Sequence, residues 1–129
     1  MLKLFVEVSR RLVKAIKKMR KVKNMSLLYV LKYNMNPDKA EEYPKWAQSA
    51  IQRLLAVPGV VEFRAYRTTI GSNQIVTTFE FADMASFAAW ADHEDCKKAH
   101  AETFSMGLNV TNELWGPSPV VPKPIRPGG

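Results

Sequence analysis

Cysteine is nearly absent. The 129-residue chain has a single one, Cys96, so no disulfide can close within it. That scarcity fits a reducing, cytoplasmic setting. Long apolar runs are missing too, and none approaches the roughly 18 residues that a membrane-spanning helix needs. No glycine-rich phosphate loop occurs, and no serine, histidine and acid fall into a nucleophilic arrangement. Histidine is scarce, with only His93 and His100. What remains is 47% hydrophobic and 24% charged, the composition of one globular domain.

Acid is short in one place only. Residues 1–24 carry nine basic side chains against the single acid Glu7, a balance of +8. Residues 25–129 carry ten basic and eleven acidic residues, a balance of −1. The excess of base therefore belongs to the leader, and the body has no basic face for nucleic acid. In the leader, Phe5, Val8, Leu12, Ile16, Met19 and Val22 recur at helical spacing and form one apolar stripe. Three readings of this basic amphipathic helix stay open. It lies on an anionic membrane surface or polyanion, it packs on the domain or a partner chain, or it is translated sequence ahead of a working start at Met25. Charges interrupt its apolar residues, unlike a secretory signal.

Residues 25–116 alternate between strand and helix patterns. SLLYVLKYNM (26–35) reads as a strand. Asn36-Pro37 opens a helix to about Ala56, with Trp46, Ile51, Leu54 and Leu55 as its buried stripe. Pro44 predicts a kink or fresh start inside it. VVEFRAYRTT (60–69) and QIVTTFEFA (74–82) are two strands joined by a turn. In the first, Val61, Phe63 and Ala65 point one way and Glu62, Arg64 and Tyr66 the other. A second helix starts near Asp83, with a break near Asp92 and a glycine cap at Gly107. LNVTNELWG (108–116) is the last strand. The tail, 117–129, holds five of the eight prolines and should run extended over a surface.

The order βαββαβ is the ferredoxin-like pattern, an α+β fold with an antiparallel sheet and both helices on one face. Apolar side chains point to both sides of the first three strands. The second face needs a cover, and the same face of a second copy would supply it, giving a two-fold homodimer.

With NPDKAEEYPKWAQSA, VPGVVEFRAYR, IVTTFEFADMASFAAWADHEDCKKAH and ELW in that order, residues 26–116 resemble the dimeric α/β-barrel superfamily. Within it they are similar to the antibiotic-biosynthesis-monooxygenase-like domains. The resemblance implies a pocket between sheet and helices. It also implies one of several activities: cofactor-free oxygenation of polycyclic aromatics, haem degradation, isomerisation, or none.

Trp90, His93, Cys96, Lys97 and His100 share one broad face if their helix is continuous. Such a face could line a pocket, with an imidazole moving protons near neutral pH or ligating a metal or haem iron. The plainer reading makes Trp90 core and both histidines surface residues. A metal site at His93, Cys96 and His100 would need three ligands of one helix to converge. The haem-degrading branch resembles this stretch in a Trp followed ten positions later by a His, as Trp90 and His100 are. It also uses an Asn in the first strand, where this chain has Leu31, with Asn34 nearby.

A cofactor-free oxygenase must deprotonate a phenolic substrate so that its carbanion can pass an electron to dioxygen. That needs polar groups inside an aromatic cavity. The candidate catalytic set is His100, Trp90, Tyr66 and Asn34, and the candidate substrate-binding set is Tyr33, Arg64, Phe79 and His93. No metal ligand and no cofactor is assigned. Tyr33 and Tyr66 equally suit a dimer interface, and Arg64 suits a surface strand charge. The resulting expectation is a monooxygenase-like protein binding a small aromatic or apolar molecule. The alternatives are a non-catalytic ligand-binding or assembly protein and, less favoured, a haem protein.

Overall fold

The computed structural model describes Arg10, Arg11 and residues 26–128. Those two arginines are helical and exposed; the rest of the expected leader helix lies outside the described residues.

Strand β1 spans Leu27–Met35. At Asn36 the chain turns, because the side-chain carbonyl accepts the Asp38 N–H at 3.0 Å. One tight turn, Pro37–Lys39, follows. Helix α1, Tyr43–Ala56, then starts afresh with Pro44 in its first turn. A proline needs no N–H partner there, so the expected interruption is a helix start rather than a kink. Strand β2 covers Val60–Arg67 and β3 covers Ile75–Phe81. Asp83 caps helix α2, Met84–Asp92, by accepting the Ser86 N–H at 2.8 Å. The break expected near Asp92 is present. His93 ends α2, and helix α3 runs Glu94–Met106. Strand β4, Gly107–Trp115, follows at once.

The four strands form one antiparallel sheet in the order β2-β3-β1-β4. This is the ferredoxin-like fold. The helices cover one face, where Phe79, Phe81, Trp90, Val57 and Cys96 make the buried core. Tyr29, Leu31 and Tyr33 of β1 point to this face, and Leu28, Lys32 and Asn34 to the other.

Three local expectations are corrected. Val61 does not face the core with Phe63. The register slips between Val60 and Glu62, so Val60 packs on the core and Val61 is left 60% exposed; a bulge gives one strand an extra residue. Leu55 is exposed while Ala50 is buried, so Ala50 replaces Leu55 in the α1 stripe, whose Trp46, Ile51 and Leu54 are half-buried. Gly107 caps α3, but with extended backbone rather than a left-handed turn. Its glycine is needed for space, since a Cβ there would lie 2.8 Å from the Tyr33 ring.

Candidate functional site

A cavity of about 300 Å³ opens between the helix-covered face of the sheet and the helices. Its wall is aromatic and aliphatic. β1 supplies Tyr29 and Leu31, β3 supplies Phe79, α1 supplies Leu54, and α2 supplies Phe87 and Trp90. Helix α3 supplies Cys96, Lys97, Ala99, His100 and Thr103, and β4 supplies Asn112. The rings pack closely. Phe79 and Trp90 have centroids 5.2 Å apart, and Tyr29 lies 5.9 Å from Phe79 and 5.8 Å from Trp90. Such tilted stacks fix ring orientation as well as burying area.

The polar groups of this wall differ in how far they are committed. The Trp90 indole N–H donates to the Leu54 carbonyl at 2.9 Å. The Thr103 hydroxyl donates to the Ala99 carbonyl at 2.9 Å. The Tyr29 hydroxyl donates to Asn112 Oδ1 at 2.5 Å. Burial, with a smaller contribution from Cys96, pushes the Tyr29 phenol up to about 12, so it stays protonated. Burial, then Asp95, likewise pushes the Cys96 thiol up to about 11. A thiol so held is a weak nucleophile. His100 is an exposed residue of α3 at the cavity wall, with its ring edge-on to Phe104 at 5.2 Å.

Three of the candidate residues, Phe79, Trp90 and His100, meet at the cavity. The other five do not line it. His93 is displaced by the helix break: its Nδ1 accepts the Asp95 N–H at 3.2 Å, making it the cap of α3. For the same reason His93, Cys96 and His100 do not share a continuous helix, and among the described residues no cluster of metal-ligand side chains forms. Tyr33 is buried on the cavity side of the sheet but is bonded to the Tyr43 hydroxyl at 2.7 Å. Asn34 faces the other way and accepts the Gln74 N–H at 2.8 Å, pinning the β2–β3 turn. Arg64 and Tyr66 lie on the opposite face, where Arg64 pairs with Glu62.

Sequence reading missed Tyr29 and Asn112. Simple alternation along β4 starts from Leu108, which pairs with Asn34 and therefore faces outward. It would turn Asn112 outward as well. A bulge intervenes between these positions: Lys32 pairs with Thr111 and Leu31 with Asn112. Asn109 takes a left-handed φ of 55° in this stretch, a conformation that asparagine tolerates. The extra residue reverses the phase and brings Asn112 to the cavity. The Asn109-Val110 stretch carries no residue pattern that announces it.

Residues 27–102 match the family model for antibiotic biosynthesis monooxygenase. The chain belongs to that family. No curated protein matches it in sequence. Solved structures similar to this family member share its fold at low identity. A ferredoxin-like dabb-family protein from Mesorhizobium loti is 17% identical with a TM-score of 0.65, covering 74% of this chain and 99% of its own. SnoaB, a cofactor-independent oxygenase from Streptomyces nogalater, is 13% identical with a TM-score of 0.58, covering 70% and 90%. A dimeric ferredoxin-like protein from Thermobifida fusca is 18% identical with a TM-score of 0.56, covering 73% and 92%. Among the described residues no helix is long and apolar enough to cross a membrane.

Proposed function

We propose that this protein is a cofactor-independent monooxygenase for a small hydroxylated polycyclic aromatic bound in the sheet–helix cavity. The observation that carries the reading is an aromatic cavity with an imidazole at its wall, His100, that has no hydrogen-bond partner among the described residues. The rings of Phe79, Phe87 and Trp90 hold the substrate by stacking and exclude water. His100 takes a proton from the substrate. The resulting carbanion passes one electron to dioxygen, the radical pair combines as a peroxide, His100 returns its proton to the outer oxygen, and loss of that oxygen as water with the carbon's second hydrogen leaves a ring carbonyl. One carbon thus loses two hydrogens, and dioxygen supplies both the carbonyl oxygen and the water.

Haem has no part in this reading. About 300 Å³ lies at the low end for ligand pockets and suits two or three fused rings better than a porphyrin. The β1 position at the wall is Leu31, where the haem-degrading branch has an asparagine.

The test is incubation of the full chain with a hydroxylated anthrone, with and without oxygen. Oxygen-dependent quinone formation is expected, and His100→Asn should slow it about 10²- to 10⁴-fold. Equal product in both atmospheres overturns the reading. A second reading, ligand binding without turnover, is favoured by the commitment of the Trp90 and Tyr29 donors to protein acceptors. Saturable binding of the anthrone with no oxygen uptake would establish it.

The working unit of this proposal is a homodimer through the outer sheet face. Its support is the mixed surface formed there by Leu28, Tyr66, Val76 and Trp115, and the similar Thermobifida fusca protein described as dimeric.

A further inference from the structure

We propose that Asn112 holds an oxygen acceptor of the ligand, a ring carbonyl or phenolate, and that Tyr29 is the positioning residue that aims its amide. This rests on the cavity being the ligand site, as proposed above. Two independent observations lead to it.

The first is the bulge in β4. A regular strand would turn Asn112 away from the helices. The register shift between Lys32 and Asn34 turns it inward instead. Bulges are often used to re-aim one side chain beside a site. The second is the bond from the Tyr29 hydroxyl to Asn112 Oδ1 at 2.5 Å. Burial keeps Tyr29 protonated, so it is the donor and the amide oxygen is the acceptor. That bond takes one of the two lone pairs of the amide oxygen and fixes the plane of the carboxamide. The amide NH₂ has no hydrogen-bond acceptor among the described residues. Both N–H donors of Asn112, and only one lone pair of its oxygen, are thus left for a ligand.

Donors with no competing protein acceptor among the described residues select by charge and by atom type. A phenolate or quinone oxygen gains a hydrogen bond, and more so if it is anionic. A neutral phenol gains less, and a plain hydrocarbon gains nothing. The class of ligand follows: an aromatic carrying an oxygen acceptor on the ring edge that reaches β4. As negative charge grows on that oxygen during deprotonation, the same N–H groups stabilise it.

Two probes separate this inference from the cavity reading. Naphthalene tests the aromatic cavity alone, and 4-nitrophenol tests the oxygen subsite through its phenolate absorbance. Wild type is expected to bind both and to lower the pKa of bound 4-nitrophenol by about one unit, a tenfold preference for phenolate. Asn112→Leu should abolish that shift while binding naphthalene as tightly as wild type does. Tyr29→Phe should shrink the shift and leave naphthalene affinity unchanged, because only the aim of the amide is lost. Retained naphthalene binding also shows that each variant is folded. If the shift survives in Asn112→Leu, or is missing in wild type that binds both probes, the inference is overturned while the cavity reading stands. If wild type binds neither probe, both fall.

Discussion

Trp90 and His100 look alike in the sequence, two functional residues on one helix face, yet the structure gives them different physical roles. Trp90 is 4% exposed and touches Tyr29, Phe79, Phe81 and Phe87. Trp90→Ala should cost about 3–5 kcal/mol in a urea melt. His100 is exposed, so His100→Asn should move stability by less than about 0.5 kcal/mol. The same melts separate folding from function: a large loss for both would show that His100 is structural. Gly107 makes a third residue-scale case. An added methyl at 2.8 Å from the Tyr33 ring and 3.2 Å from the Thr103 carbonyl has no room, and Gly107→Ala should cost about 1–3 kcal/mol. The sequence showed Phe79 and Trp90 because large apolar residues at regular spacing announce burial. It hid Asn112 because a polar residue on an edge strand looks the same whichever way it points. Only the bulge decides.

At the scale of elements, the reading of the chain succeeded where local chemistry punctuates it. Asp83 and the interruption after Asp92 are boundaries that capping residues mark, while Asn36-Pro37 opens a single turn and the helix expected from it begins only at Tyr43. It failed where tertiary pairing overrides alternation, at Val61, and it could not orient β4, since nothing local signals an extra residue in a strand. The helices are also joined by a contact that periodicity could not foresee. Glu102 of α3 accepts both guanidinium nitrogens of Arg53 on α1, at 2.6 and 3.1 Å, and the Trp46 indole N–H at 2.8 Å. The hydrogen bonds from Arg53 hold the Glu102 carboxyl below its ordinary value, burial opposes this, and the Trp46 bond adds to the lowering. A carboxylate whose pKa is lowered on folding stabilises the fold above its unfolded pKa of about 4.3. That contribution is lost as pH falls through the lower folded value. Stability of the wild type should therefore drop on acidification below about pH 4.5. Glu102→Gln should be less stable by about 1 kcal/mol at neutral pH and lose less on acidification. Denaturant melts at pH 7 and pH 3 check it, and parallel losses for the two chains would remove the ion pair from the account.

For the whole molecule the outer sheet face is the open question of assembly, and its charges bear on the answer. Apolar side chains on both sides of the strands suggested a face that needs a cover. The face observed is mixed, but its charges are largely paired within the chain. Lys32 bonds Glu113 at 3.1 Å and lies 5.4 Å over the Trp115 ring. Arg64 pairs with Glu62. Two copies meeting across a two-fold axis would thus bring together two neutralised pairs and one acid, Glu80, that has no ion pair among the described residues, with Leu28, Val76, Tyr66 and Trp115 as the apolar contact. Tyr66 and Trp115 remain 50% and 45% exposed in the single chain, and large aromatic residues are favoured at interface centres. Val76→Glu places a second acid beside Lys32, which lies directly across from it and is already bonded to Glu113, and so adds one net negative charge to the face of each copy. Desolvation of that acid and repulsion between copies should raise the dimer dissociation constant at least about tenfold. Val76 is only partly buried in the single chain, so the fold and naphthalene binding should survive. Sedimentation of wild type and variant at micromolar concentration gives the result. A wild-type dimer that dissociates in the variant supports the sheet-face assembly. A variant that stays dimeric assigns the contact to another surface, and a monomeric wild type removes the dimer.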